Sequence, residues 1–295
     1  MPKDSSQLPL KAGFIGLGAM GLWMARHLAT EGLLEAVWNR TSPKAAAFSA
    51  ELNVPLASSP ADLADRVDVV CLCVTADQDV LELVESILPQ LRPGQIVIDF
   101  STVSRETAIR SHQCIQATGA DFLDAPVTGG VEGARSATLA IMVGGNPLTL
   151  ERVTPLLTVL GKRIVHMGEV GMGQSTKAVN QVLCAGINEA VTEALAFGEH
   201  LGLEMDKLIE VISGGAAGNW FLDKRGPTMT RDIFQPGFKL QLHHKDLRIC
   251  QEMARQLGID LPLTDTTEKH YQTLMVDGHG EEDISALYRL KRPSA

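Results

Sequence analysis

Between residues 12 and 166, short apolar runs recur along the chain, separated by segments whose apolar residues return every three or four positions. The runs at 12–15, 36–38, 67–74, 95–99, 121–124, 139–143 and 163–166 predict strands. Residues 19–31, 43–52, 79–86 and 104–118 predict helices between the first of them. Ser42-Pro43 fits an N-cap followed by proline at the first helical position. Val69-Val70-Cys71-Leu72-Cys73-Val74 has no polar break, as expected of a strand covered on both faces. Strands alternating with helices predict βαβ units and a mostly parallel sheet.

After Gly173 the strand pattern stops. Residues 174–200 form one long helical register ending near Gly202, and further helices are predicted at 205–212, 240–256, 264–275 and 284–290. The C-terminal part is therefore expected to be all-α, joined to the sheet domain near 168–173.

The first strand and first helix are connected by Gly13-Phe-Ile-Gly16-Leu17-Gly18-Ala19-Met20-Gly21. A GxGxxG run is a weak signal alone and a strong one between a strand and a helix. There Gly16 permits a tight turn, Gly18 admits a pyrophosphate close to the backbone, and Gly21 lets the helix lie on the strand. The helix N-terminus offers N–H groups and the positive end of its dipole to the phosphates. The expected fold class is α/β: a Rossmann doubly wound parallel sheet over 11–173, then a helical substrate and dimerisation domain over 174–295, linked by a long inter-domain helix.

The end of the second strand meets the adenosine ribose in such folds, where a carboxylate selects NAD. Here the run is Trp38-Asn39-Arg40-Thr41, without a carboxylate. An amide, a planar cation and a hydroxyl suit a 2′-phosphate, so NADP is expected, with NAD possible. The competing reading leaves Arg40 as a solvated surface cation.

Two further segments carry candidate chemistry. In Gly171-Met-Gly173-Gln-Ser-Thr-Lys177-Ala-Val-Asn180, Lys177 and Asn180 share a helix face, with Gln181 beside them and Cys184 a turn on. Val179, Val182 and Leu183 are expected to mark a buried flank. An ammonium beside an amide can hold and protonate a developing alkoxide; alternatively Lys177 is a first-turn surface lysine. Asp124-Ala-Pro-Val-Thr128-Gly129-Gly130 follows a strand, and its glycine amides can face a carboxylate or form an ordinary turn.

Composition narrows the classes. The chain has 295 residues, a net charge of −9 and few aromatic residues, which argues against nucleic acid or an anionic membrane as partner. No apolar run approaches the roughly 20 residues that span a bilayer. The first ten residues, MPKDSSQLPL, lack a signal peptide's apolar core and read as a disordered leader. Five cysteines without a disulfide-framework spacing point to a reduced, cytoplasmic compartment. Cys71 and Cys73 share one strand face and read as core. Adjacent His243 and His244 diverge on a helix, so no metal is expected. Glu281-Glu282-Asp283 reads as a solvated acidic turn.

GFIGLGAMG at 13–21, DFSTVS at 99–104, DAPVTGG at 124–130, GMGQSTKAVN at 171–180 and HKDLRI at 244–249 stand together in one order. With these motifs the chain resembles the β-hydroxyacid dehydrogenases, among them 3-hydroxyisobutyrate dehydrogenase, tartronate semialdehyde reductase and the glyoxylate/succinic semialdehyde reductases. The resemblance spans nearly the whole chain. It implies a C-terminal domain like that of 6-phosphogluconate dehydrogenase, and a homodimer or homotetramer. By matching position, Lys177 resembles the catalytic lysine and Asn180 its neighbour. Thr128, Gly129 and Gly130 resemble the substrate-carboxylate loop, with Ser101 also at the substrate. Val74, Thr102 and Lys245 resemble cofactor contacts beside the glycine turn. Gln181 stands where the family often has a second Asn. Trp220, in Gly218-Asn219-Trp220-Phe221, is open to two readings, pocket cover or core.

The implied activity is reversible hydride transfer between NADPH and the aldehyde or keto carbon of a short carboxylic acid, with Lys177 as general acid and base. A non-catalytic NADP-binding scaffold and an imine reductase on the same fold are the alternatives. Both would be expected to lack the lysine.

Overall fold

The computed structural model describes residues 10–292. The expected leader lies outside them except for Leu10, which packs against the first core of the sheet. The chain divides into two compact units, Met1–Lys177 and Ala178–Ala295.

The first unit begins with β1 (Ala12–Ile15), α1 (Gly21–Thr30), β2 (Leu34–Trp38), α2 (Ser42–Leu52) and α3 (Pro60–Arg66). There follow β3 (Val69–Leu72), α4 (Asp77–Ile87), β4 (Ile96–Asp99), α5 (Arg105–Gln116) and β5 (Asp121–Asp124). The unit continues with β6 (Val127–Thr128), α6 (Gly130–Arg135), β7 (Leu139–Gly145), α7 (Pro147–Leu160) and β8 (Gly161–Gly168). The strand order is β2-β1-β3-β4-β5-β7-β6, with β8 joined to β7. From β2 to β5 every pairing is parallel. Beyond β5 the sheet is mixed: β7 runs antiparallel to β5 and β6 and parallel to β8.

Side chains alternate across the parallel strands into two cores. Phe14, Val69, Cys71, Ile96 and Ile98 enter one, while Ile15, Val70, Leu72 and Val97 enter the other. Each such side chain removed from water contributes roughly 1.5–3 kcal/mol, which explains why these strands carry no polar break.

Among the described residues, four α-helices lie outside the predicted segments, α6 and three whose starts are set by capping. Ser59 accepts from Asp62 N before Pro60, and Asn146 accepts from Leu148 N before Pro147. In the third, Trp220–Met229 of the helical unit, Asn219 accepts from Leu222 N. Ser42 is not the cap of α2: Thr41 holds that position without a side-chain cap bond, and Ser42 is the first helical residue.

A single helix, α8 (Met172–His200), crosses the division between the units. The second unit adds α9 (Met205–Ser213), α10 (Trp220–Met229), α11 (Leu240–Leu257) and α12 (Pro262–Val276). A 3₁₀ helix, Ile284–Leu290, stands at the last predicted helix. Its core gathers Leu195, Phe221, Leu247, Tyr271, Leu274 and Leu287. Among the described residues no helix is long and apolar enough to cross a membrane.

Candidate active site

β1 ends where the sheet changes direction of growth, with β2 on one side and β3 on the other. Ligands of open α/β sheets bind beyond the strand ends at such a point. Gly16 leaves β1 at φ +101°, and a Cβ there would lie 2.2 Å from the Cys73 carbonyl oxygen. A Cβ on Gly21 would lie 2.0 Å from the Gly16 carbonyl oxygen. Gly18 differs, because a Cβ there meets nothing within 4 Å. Two glycines thus close the turn, while the third leaves clear space beside the exposed Ala19 and the N-terminus of α1. The turn fits a dinucleotide pyrophosphate.

The end of β2 is tied to this turn. Asn39 Oδ1 accepts from Leu17 N at 2.9 Å, and its Nδ2 donates to the Thr41 carbonyl at 3.1 Å. The Arg40 guanidinium is 79% exposed and pairs with Asp79 at 2.7 Å. Met20 sits half-buried before α1.

Two buried carboxylates stand side by side at the ends of β4 and β5, Asp99 opposite Asp124 in the register. Asp99 Oδ1 accepts from Ser101 N at 2.9 Å, and Oδ2 has no hydrogen-bond partner among the described residues. Burial pushes the Asp99 carboxyl up to about 7, against the opposing pull of its bonds from Ser101. Ser101 is buried too, and its hydroxyl accepts from Val74 N at 2.9 Å. Its observed task is to hold the backbone after β3. Thr102 beside it is half-buried.

Asp124 accepts from Gly171 N at 2.7 Å through Oδ1 and from Gln174 N at 2.9 Å through Oδ2. Burial raises its carboxyl above the ordinary range, and these amides counter the rise. Gln174 Nε2 donates to the Ser101 carbonyl at 2.8 Å, and its Oε1 accepts from Val103 N at 3.2 Å. Downstream of Asp124, Thr128 pairs with β7, and Gly129 and Gly130 turn at φ +127° and +63°. None of Asp99, Asp124 and Gln174 was singled out for a role in the sequence. The available signal was the three motifs that they begin or enter.

Lys177 is buried, one turn beyond the amides that Asp124 holds. Asn180 Nδ2 donates to Gln181 Oε1 at 2.8 Å and lies 3.5 Å from Cys184 Sγ. The expected apolar flank is wrong: Val179 and Leu183 are 63% and 61% exposed, and Val182 is only half-buried. The buried face of α8 carries Gln174, Lys177, Gln181, Asn188 and Thr192 beside the apolar Ala185, Val191, Leu195 and Ala196. Gln174, Gln181, Asn188 and Thr192 are tolerated there because each donates a hydrogen bond. Gln181 donates to Asp246 at 2.6 Å, and Asn188 donates to the Tyr271 hydroxyl and the Ile284 carbonyl, each at 2.8 Å.

In the helical unit, Lys245 pairs with buried Asp246 at 2.9 Å. His243 Nδ1 shares a bond with the Tyr271 hydroxyl, and His244 pairs with Glu268. The acidic turn at 281–283 is not solvated throughout. Asp283 is fully buried, caps the 3₁₀ helix, accepts from Gly237 N and Phe238 N, and pairs with Arg225. Trp220 opens α10 half-exposed, with the Arg225 guanidinium 5.3 Å from its ring centre. Burial raises the thiols of Cys71 and Cys73, the latter to about 12, which keeps both protonated and inert.

Residues 11–168 match the NAD binding domain of 6-phosphogluconate dehydrogenase, and residues 171–291 match the NAD-binding domain of NADP-dependent 3-hydroxyisobutyrate dehydrogenase. The chain belongs to the β-hydroxyacid dehydrogenase family. Within that family it is 35% identical to the 2-hydroxy-3-oxopropionate reductase of Escherichia coli, over 94% of this chain and 96% of that one. It is 34% identical to the NAD-dependent L-serine dehydrogenase of Pseudomonas aeruginosa, over 95% and 97% of the two chains. The 3-hydroxyisobutyrate dehydrogenase of Mycobacterium tuberculosis, solved with L-serine, superposes with a TM-score of 0.87 at 32% identity, covering 97% of this chain and 100% of that one. The protein is an NAD(P)-dependent oxidoreductase of this family.

Proposed function

We propose that the protein reduces the aldehyde or keto carbon of a short carboxylic acid to a β-hydroxyacid with NADPH, with Lys177 as general acid. One observation carries this reading: a buried lysine on α8, a turn past an N-terminus anchored to the strand end that begins the Thr128–Gly130 loop. The bound nicotinamide supplies the hydride. Gly16, Leu17, Gly18, Ala19, Met20 and Gly21 would bind the pyrophosphate, Asn39, Arg40 and Thr41 the 2′-phosphate end, and Val74, Thr102 and Lys245 the remaining cofactor contacts. Thr128, Gly129 and Gly130 would hold the substrate carboxylate, with Ser101 supporting the site. Lys177 Nζ would give its proton to the carbonyl oxygen, take it back in the oxidation, and be kept in place by Asn180.

The test is turnover with NADPH across glyoxylate and the tartronate, succinic and methylmalonate semialdehydes, repeated with Lys177→Ala. General acid–base catalysis contributes about 10²–10⁴-fold, so the variant is expected to lose at least a hundredfold in kcat. Activity within about tenfold of the parent would contradict the assignment. A cyclic imine in the same panel separates the imine reductase reading, which the retained Lys177 disfavours.

A homodimer or homotetramer belongs to the same proposal. The exposed stripe Val179, Leu183 and Ile187 on α8 supports it, since such apolar rows mark contact surfaces. Light scattering that returns the mass of one chain would remove this part. The cytoplasm is the proposed compartment, supported by five free cysteines; export of the tagged chain in a fractionation experiment would oppose it.

A further inference from the structure

Helix N-termini are ordinarily capped by a side chain one to three residues away. The start of α8 is held differently. Its amides at Gly171 and Gln174 are taken by Asp124, some 47 and 50 positions earlier in the chain, at the end of β5. The fit is tight enough to require glycines on both sides. A Cβ on Gly144 would lie 2.4 Å from Asp124 Oδ1, and one on Gly173 would lie 2.7 Å from Oδ2. Gln174 then extends the link to β4, with one bond to the Ser101 carbonyl and one from Val103 N. Two fully paired, buried side chains therefore join the segment that carries Lys177 to the segments that carry Thr102 and Thr128–Gly130.

We propose that Asp124 and Gln174 are positioning residues for Lys177, fixing the first turn of α8 so that the ammonium is held at a set distance from the substrate loop. This rests on the acid–base reading of Lys177. The physical basis is twofold. An anion at a helix N-terminus is stabilised by the dipole and by charge-assisted bonds to the amides, so the turn resists fraying. The same carboxylate begins the Asp124–Gly130 segment, so displacement of one element displaces the other. Neither side chain needs to touch substrate.

The test compares Asp124→Asn, Gln174→Met and Lys177→Ala. Asn presents an amide N–H to a backbone N–H and so loses one of the two bonds; Met removes both bonds of the Gln174 side chain at similar volume. Each positioning variant is expected to lower kcat about 10- to 100-fold, because an error near 1 Å in placement costs about that much. NADPH affinity, read from nucleotide fluorescence, is expected to stay within about threefold. The solvent deuterium isotope effect on kcat is expected to rise, since proton delivery becomes slower than hydride transfer; a role confined to stability would lower Tm and leave that effect unchanged. Folded variants with kcat within about threefold of the parent and the parental isotope effect would overturn the proposal. If Asp124→Asn does not fold, Gln174→Met decides alone. Retained activity in Lys177→Ala would instead remove the acid–base reading, whatever the other two variants do.

Discussion

Arg40 at the end of β2 donates through Nη1 to Asp79 Oδ1 in the first turn of α4, across 2.7 Å. The pair lies at the surface, with the arginine side chain 79% exposed. Such an exposed ion pair contributes only about 0.2–1 kcal/mol, so Arg40 is readily exchanged to a partner of higher charge. On the proposed reading, a 2′-phosphate competes with Asp79 for Arg40. Arg40→Ala is expected to weaken NADPH binding by about tenfold or more while NADH changes little. Asp79→Asn is expected to tighten NADPH by a factor of a few, an effect that fades as salt rises. Fluorescence titration with both nucleotides measures the two ratios. Equal losses for NADPH and NADH in Arg40→Ala would place the 2′-phosphate elsewhere.

The three glycines of the turn should separate by assay. Alanine at Gly16 or Gly21 drives Cβ into a backbone carbonyl, 2.2 or 2.0 Å away, so both variants are expected to lose stability as seen in Tm. Alanine at Gly18 meets no protein atom within 4 Å, and Gly18 has no positive φ to strain. Gly18→Ala is expected to keep the parental Tm without nucleotide and to lose about tenfold or more in cofactor affinity. A Gly18→Ala protein that binds NADPH as the parent does would show that the pyrophosphate does not approach this residue.

Much of the nucleotide-binding unit was legible because its signals are local. Glycine spacing, uninterrupted apolar runs and alternation with helices each report the backbone directly, and β1 and β5 have the predicted bounds. Proline helped less. Pro60 and Pro147 entered no prediction, though each sits in the first turn of a helix behind a Ser or Asn cap. The two-residue β6 is too short to leave a periodic trace. The harder failures were polar. Asp283 looked like surface and is the buried hub of a loop. On α8 Val179 and Leu183 are exposed while polar residues are buried, because Gln174, Gln181 and Asn188 find partners 65 to 96 positions away. Periodicity tells which face differs, not which face is inside. For Asp124, the motif was visible, but its amide partners Gly171, just before α8, and Gln174, in its first turn, become neighbours only in the folded chain.

Asp99 makes stability depend on pH in a direction opposite to that of a salt-bridged carboxylate. Its folded pKa is pushed up to about 7 by burial, from an ordinary 3.8. Between these values the folded chain holds a proton that the unfolded chain has released, so stability falls as pH rises across that window and levels off above it. Asn mimics the protonated acid: its Oδ1 can keep the bond from Ser101 N, and its amide replaces Oδ2, which has no partner among the described residues. Asp99→Asn is therefore expected to raise Tm relative to the parent at about pH 8 and to raise it by a clearly smaller margin at about pH 5, where only part of the window has been crossed. Asp124 is shifted in the same direction and its charge raises Asp99, so the two titrations are coupled and the difference belongs to the pair. Calorimetry or fluorescence-monitored melting of both proteins at the two pH values reads the difference. A Tm gap that is unchanged, or larger at the lower pH, would mean that the Asp99 carboxyl is already ionised in the folded chain at acidic pH.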